Sequence, residues 1–226
     1  MVSIGQNNYF LRDEVAVHNQ IGSAWVIIHG NVFDITALFD GHSTKKLQLF
    51  LLAFAGKDLS VYFSVGGRPI YRVSKDGVKV PVFPPVVLKN RSTGKHWWND
   101  KSLKIGKVTT QERTIRVLNN LTFRVIEITV CEEDTIAVIQ DRFLRYNENS
   151  RNYTWRRNIN MSDATADLQL DKTLTENGIL PDRYPPAPLI WIFYQIPHGN
   201  NARNTDINKH LTNPDNDLFL SKQTAS

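Results

Sequence analysis

Pro81, Pro84 and Pro85 decide where this chain can be helical. They fall in the segment Val80-Pro81-Val82-Phe83-Pro84-Pro85-Val86-Val87. Each proline lacks an amide donor, fixes its own φ and pushes the residue before it out of the helical region, so the segment must be extended or turn-like. It separates two stretches that each carry their own alternation of strand and helix patterns. Trp97 and Trp98 follow in an otherwise polar run. Two large aromatics in a polar connector are expected to dock on a neighbouring surface, buried between the two stretches or serving as anchors for a partner.

Upstream, Leu11, Val15 and Val17 share one helical face, with Asp13 and Glu14 in the first turn, where carboxylates suit the helix dipole. Ala24-Trp25-Val26-Ile27-Ile28 and Val32-Phe33-Asp34-Ile35 read as two strands of a hairpin turning through His29-Gly30-Asn31. Leu47, Phe50, Leu51 and Phe54 then recur at helical spacing. Asp58 stands where it would cap a short helix bearing Leu59, Tyr62 and Phe63, which Gly66-Gly67 ends. A mixed domain is expected over residues 8–75, with a proline-rich connector and its Trp-Trp anchor over 76–103.

Downstream, Thr114 to Leu118 and Phe123 to Val130 make a second hairpin around Asn119-Asn120. From Glu133 the period becomes helical, with Ile136, Ile139 and Phe143 in line and Asp134 placed as a cap. Tyr153-Thr154-Trp155 begins another strand, Leu168 to Gly178 is a turn region, and Leu189 to Tyr194 reads as a central strand. This domain is expected over 104–197. A polar tail rich in asparagine and aspartate occupies 198–226. The fold class is α+β.

The chain has 226 residues, of which 41% are hydrophobic, and a net charge of +5. That is apolar enough for real cores. The basic residues form no dense run. Arg151, Arg156 and Arg157 interleave with Tyr153 and Trp155, a pattern that serves a nucleic-acid surface but fits an ordinary strand better, so no nucleic-acid partner is expected. Cys131 is the single cysteine, which rules out an internal disulfide and a cysteine-rich zinc site. Placed at the end of an apolar strand, it is expected to be buried and unreactive. The start lacks a signal peptide's pattern and the apolar run from Leu47 to Ala55 is too short to span a bilayer, so a cytosolic location without a membrane partner is expected. His18, His29, His42, His96, His198 and His210 are scattered without metal-ligand spacing. No serine elbow, phosphate loop or zincin helix is present, so no catalytic or metal residue is expected.

Two families are carried by local sequence. Trp25 to Thr36 resembles the opening hairpin of cytochrome b5, and Ala55-Gly56-Lys57-Asp58 resembles that family's alanine-glycine-x-aspartate segment. The family holds heme between two histidines. Here the first ligand position falls at Thr44 and the second near Arg68, so the resemblance implies a degenerate domain without heme ligands or cofactor; His42 is the one weak alternative ligand. Glu133 to Phe143, Leu170 to Ile179 and Leu189 to Tyr194 resemble the helix, late turn and last strand of ubiquitin, implying a β-grasp domain. No terminal glycine pair follows, so conjugation is not implied. The two domains in this order resemble a family of small axonemal proteins. That resemblance implies a non-enzymatic structural or adaptor component of the motile cilium or flagellum axoneme, within the cytoplasm and cytoskeleton. Its implied partners are radial-spoke proteins in a hetero-oligomeric assembly. The alternative is a heme-binding or redox-sensing regulator of ciliary motility, acting through His42 or Cys131.

Overall fold

The first sheet grows from the apolar run around Trp25. In the computed structural model the described residues are 8–39, 45–158, 163, 166–181 and 186–194. The opening elements are β1 (Tyr9–Phe10), α1 (Arg12–Ala16), β2 (Asn19–Gln20), β3 (Ser23–Ile28) and β4 (Asn31–Asp34). β3 and β4 pair antiparallel with Ile28 opposite Asn31. His29 (φ 46°) and Gly30 (φ 73°) therefore form a two-residue turn with both residues in the left-handed region, the geometry that matches the twist of paired strands.

After α2 (Lys45–Leu52), β5 (Tyr71–Val73) and β6 (Lys79–Pro81) form a separate two-stranded ribbon. Then comes β7 (Lys104–Val108), which pairs antiparallel with β4 and parallel with β1, giving the order β1-β7-β4-β3-β2. The expected start of the second domain at Lys104 therefore needs correction. β7 fills the slot between β1 and β4, and Gly106 lets it lie there: a Cβ at that position would collide with the Asn8 carbonyl and the Phe10 ring.

The connector expected over 76–103 also belongs to the first core. Phe83, Val86, Trp97 and Leu103 are buried in one cluster with Ala24, Val26, Phe33, Ile35, Phe39, Leu51, Leu59 and Phe63. The prolines set up a 3-10 turn at Pro84–Val87, and its carbonyls receive the two indoles. Trp97 Nε1 donates to the Pro85 carbonyl at 2.9 Å and Trp98 Nε1 to the Val86 carbonyl at 3.0 Å. Trp97 has 0% of its surface exposed, so it has nothing left to offer a partner. It packs inside the first core and not between two domains, because a buried indole is stable only where its N–H is satisfied. Trp98 is partly buried against the same cluster.

The second part contains β8 (Glu112–Asn119), β9 (Val125–Cys131), α3 (Ile136–Phe143), β10 (Tyr153–Arg156) and β11 (Leu189–Tyr194). The sheet order is β10-β11-β8-β9, with β8 antiparallel to β9 and parallel to β11. A hairpin whose first strand is joined in parallel by the last strand, with a helix crossing between, is the β-grasp arrangement. Ile136, Ile139 and Phe143 of α3 pack on Ile115, Val117, Ile128, Val130, Ile190 and Ile192. The helix cap is Thr135, whose Oγ1 accepts from the Val138 N–H at 3.4 Å, and not Asp134 as its position suggests. The tail over 198–226 lies outside the described residues.

Both cores fall within one compact unit, Met1–Phe193. Arg142 of α3 joins them. Its guanidinium donates to Asp134 at 2.5 Å, to the Tyr9 carbonyl at 2.9 Å and to Glu14 of α1. The side chain is only 12% exposed, so these bonds replace the water it gave up.

Candidate functional site

The alanine-glycine-x-aspartate segment shows how local chemistry builds the first module's wall. Gly56 (φ 78°) turns the chain against α1; a Cβ there would stand 2.7 Å from the Ala16 carbonyl oxygen. The chain then runs beside β3, with the Gly56 N–H donating to Trp25 O at 2.7 Å and the Leu59 N–H to Ile27 O at 2.7 Å. Asp58 does not cap a regular helix. It accepts from the Ser60 backbone N–H at 3.0 Å and from the Ser60 hydroxyl at 2.5 Å, and Arg12 reaches it at 3.0 Å. Burial works against its charged form, yet Ser60 and Arg12 together hold its carboxyl below the usual range.

Heme would need an open interior and two axial ligands. The interior is occupied by rings. Phe54 stands 5.1 Å from Phe83 and 5.6 Å from Tyr62, Tyr62 stacks on Phe83 at 5.1 Å, and Phe63 meets Trp97 at 6.3 Å. Arg68 sits exposed in a tight loop whose carbonyl accepts from the Ser64 N–H at 2.8 Å. A guanidinium stays protonated and has no lone pair for iron.

The described histidines are engaged elsewhere. His18 stacks on Trp25 at 3.4 Å and contacts Ser23 Oγ at 2.5 Å, and burial lowers its pKa. His29 Nε2 contacts the Ser64 carbonyl at 2.8 Å. His96 stacks on Trp98 at 5.8 Å. His42 and Thr44 lie outside the described residues, as do His198 and His210. Among the described residues, no cluster of histidine, cysteine and carboxylate side chains could hold a metal ion. The described residues do not fit a heme: rings occupy the interior, and no described histidine faces it free of another contact.

Cys131 is buried beside Asp134 and Arg142, with Arg142 donating to its Sγ at 3.2 Å. Burial pushes its thiol up to about 12, aided by the Asp134 charge. The reactive form of a cysteine is the thiolate, so this thiol is a poor redox centre. The arginines weighed for nucleic acid are also engaged: Arg151 pairs with Asp141 at 2.6 Å and Arg156 with Asp167 at 2.5 Å. No helix among the described residues is long and apolar enough to cross a membrane.

Sequence reasoning missed two features. One is the Glu14–Arg142 contact, which joins residues 128 positions apart and leaves no periodic trace. The other is a surface on α2. Lys45, Lys46, Leu49, Phe50, Ala53 and Phe54 line a depression of about 520 Å³. A signal for it did exist, because Leu49 and Phe50 widen the apolar stripe beyond what one buried face needs.

A family model described as cytochrome b5-like heme/steroid binding domain matches residues 12–108. The cytochrome b5 domain-containing protein 1 of Xenopus laevis is 31% identical over 185 residues, covering 76% of this chain and 82% of that protein. Its Homo sapiens namesake is 30% identical over 190 residues, covering 77% and 79%. Cytochrome b5 of Musca domestica is 42% identical over 60 residues, 26% of this chain and 43% of that one. A designed protein based on ubiquitin aligns with 40% of this chain and 99% of its own, at 15% identity and a TM-score of 0.31; the β-grasp assignment rests on the strand order. With a b5-type shell through residue 108 and a β-grasp sheet after it, the chain belongs to the cytochrome b5 domain-containing protein 1 family.

Proposed function

We propose that this chain is a non-enzymatic structural or adaptor component of the motile cilium or flagellum axoneme, held with radial-spoke proteins in a hetero-oligomeric assembly. The observation that supports this most is the interior of the first module. Phe54, Tyr62, Phe63, Phe83 and Trp97 occupy it with their own rings, which leaves the outer surfaces to carry function. The axonemal location comes from the resemblance to small axonemal proteins. A redox regulator would need bound heme or a reactive thiolate, and the high pKa of Cys131 argues against the second.

Fractionation of demembranated cilia tests the reading. The chain should remain with the axonemes, resist mild detergent and be lost from axonemes that lack radial spokes. Recovery in the membrane-plus-matrix fraction, or retention that ignores the loss of spokes, would contradict it.

A further inference from the structure

Glycine directly follows aspartate or asparagine at Asp40–Gly41, Asp76–Gly77 and Asn177–Gly178. At such a pair the glycine nitrogen can close on the side-chain carbonyl carbon as a five-membered ring, because the following residue has no Cβ to obstruct it. In an unstructured chain asparagine reacts faster than aspartate, since its amide is neutral and a carboxylate resists attack. Chemistry alone therefore ranks Asn177 first. Asp40 and Gly41 lie outside the described residues.

The structure reverses that order. Asn177 is held at both ends of its amide. Nδ2 donates to the carbonyls of Thr173 at 2.8 Å, Gln169 at 3.1 Å and Lys172 at 3.3 Å, and Oδ1 accepts from the Gln169 N–H at 2.8 Å. The Gly178 N–H donates to the Thr175 carbonyl at 2.9 Å, and a Cβ on Gly178 would stand 3.3 Å from the Arg157 guanidinium. Ring closure there must break these bonds together. Asp76 stands at the exposed turn of the β5–β6 ribbon, and its carboxylate has no hydrogen-bond or ion-pair partner among the described residues. A Cβ on Gly77 (φ 76°) would meet nothing within 4 Å. The turn is closed by the Gly77 N–H on the Ser74 carbonyl at 3.0 Å, the Ser74 N–H on the Val78 carbonyl at 2.8 Å and the Val78 N–H on the Ser74 hydroxyl at 3.2 Å. The ribbon has two strands only, with Val73 71% and Val78 58% exposed. A lone hairpin is marginal in water, so its end opens far more often than either core, and each opening frees the Gly77 nitrogen.

We propose that Asp76 is a site of spontaneous isoaspartate formation in the folded chain, a substrate for an isoaspartyl methyltransferase, and that folding suppresses the same reaction at Asn177. The Gly77 nitrogen bonds to Asp76 Cγ, and its proton leaves with the carboxyl hydroxyl as water. One water then reopens the cyclic imide. Cleavage between the nitrogen and Cγ restores aspartate, whereas cleavage between the nitrogen and the Asp76 backbone carbonyl leaves isoaspartate. No oxidant or cofactor enters. The product carries an extra methylene in the main chain of the turn, so Ser74 and Val78 lose their closing register. It also sets a free α-carboxylate at an exposed tip, which is the group such a methyltransferase esterifies. This inference does not depend on the adaptor reading.

The test ages the full-length protein at body temperature, in native buffer and in guanidinium chloride. Digestion after arginine places Asp40, Asp76 and Asn177 on separate peptides, which are labelled by an isoaspartyl methyltransferase with radioactive S-adenosylmethionine. In native buffer, label should accumulate severalfold faster in the Asp76 peptide than in the Asn177 peptide. In denaturant the order should invert. Asp76→Glu, whose ring closure would need a larger ring, should remove the label from its peptide, and Asp76→Asn should raise it severalfold. Both changes fall at an exposed turn and should keep the wild-type circular dichroism. An Asp76 peptide without label in native buffer would overturn the proposal. So would label there that survives Asp76→Glu, or an Asn177 peptide labelled as fast in native buffer as in denaturant.

Discussion

Rings close the first core: Phe33, Phe39, Phe63, Phe83 and Trp97 are buried, with Phe54, Tyr62 and Trp98 packed against them. Branched aliphatic residues close the second, where Ile115, Val117, Ile128, Val130, Ile136, Ile139, Ile190 and Ile192 surround, among the described residues, two buried aromatics, Phe143 and Trp155. The difference follows from what each shell must enclose. A four-stranded sheet with one helix across it leaves a thin space that alternating Ile and Val fill in their preferred rotamers. A b5-type shell is built around a wider cleft. Here flat side chains fill it, and two of them, Phe83 and Trp97, are delivered by the proline-bounded segment that follows the helices. The first core therefore depends on a distant piece of chain, while the second is assembled from its own strands and helix.

The largest expected effect breaks the first core at that dependence. Trp97→Ala removes a fully buried ring and strands the Pro85 carbonyl; it should cost about 3–5 kcal/mol, measured by urea unfolding. Ile139→Ala, in the second core, should cost about 2–4 kcal/mol on the same scale. A smaller loss at Trp97 than at Ile139 would mean the connector is an accessory to the first core and not part of it.

Next in size is the joint between the cores. Arg142→Ala leaves Asp134 buried at 3% exposure without its partner, a class of change that costs about 3 kcal/mol or more. Unfolding followed by fluorescence and by circular dichroism should separate into two transitions where the wild type shows one. A single shifted transition would show that the cores stay coupled without Arg142.

Gly56→Ala tests the wall of the first module. The added Cβ meets the Ala16 carbonyl, and the left-handed backbone at φ 78° adds its own strain, together about 1–2 kcal/mol. The smallest effect is a pH dependence confined to the connector. Thr93, Ser102 and Asn90 hydrogen-bond Asp100 and hold its carboxyl down to about 2 from 3.8. Its folded pKa lies below its unfolded value, so the stabilisation is complete above the unfolded value and is lost as pH falls from about 4 towards 2. Asp100→Asn should flatten the stability profile in that window and leave its shape at pH 7 unchanged; an unaltered acid limb would contradict the assignment.

Much of this architecture was legible because it is local. The His29-Gly30 hairpin, the Ile136, Ile139, Phe143 stripe and the central strand Leu189–Tyr194 each announce themselves within a few residues by period and turn chemistry. The β7 strand was not, because Lys104–Val108 is short and its place depends on β1 and β4 arriving from the other end of the chain. The same holds for Trp97. Its sequence context is polar, and only the turn at Pro84–Val87 supplies an acceptor that lets it go inside. At the candidate site, the resemblance to cytochrome b5 implies ligand positions at Thr44 and near Arg68; Thr44 lies outside the described residues, and Arg68 sits in an exposed loop. Of the apolar side chains expected to fill the interior, Leu47, Phe50, Leu51, Phe54, Tyr62 and Phe63, the structure buries Leu51 and Phe63, packs Phe54 and Tyr62 against them and leaves Phe50 40% exposed, while Phe83 and Trp97 arrive from outside the expected domain. The Arg142 joint left no signal, since its partners share neither an element nor a period.

The central claim is that the first module's interior is closed by its own side chains. Titration of the full-length protein with hemin, followed by absorbance, tests this most directly. The account predicts a weak, broad band that grows without saturating and is the same for wild type and His42→Ala. A sharp Soret band that saturates at one heme per chain, and that His42→Ala abolishes, would contradict it.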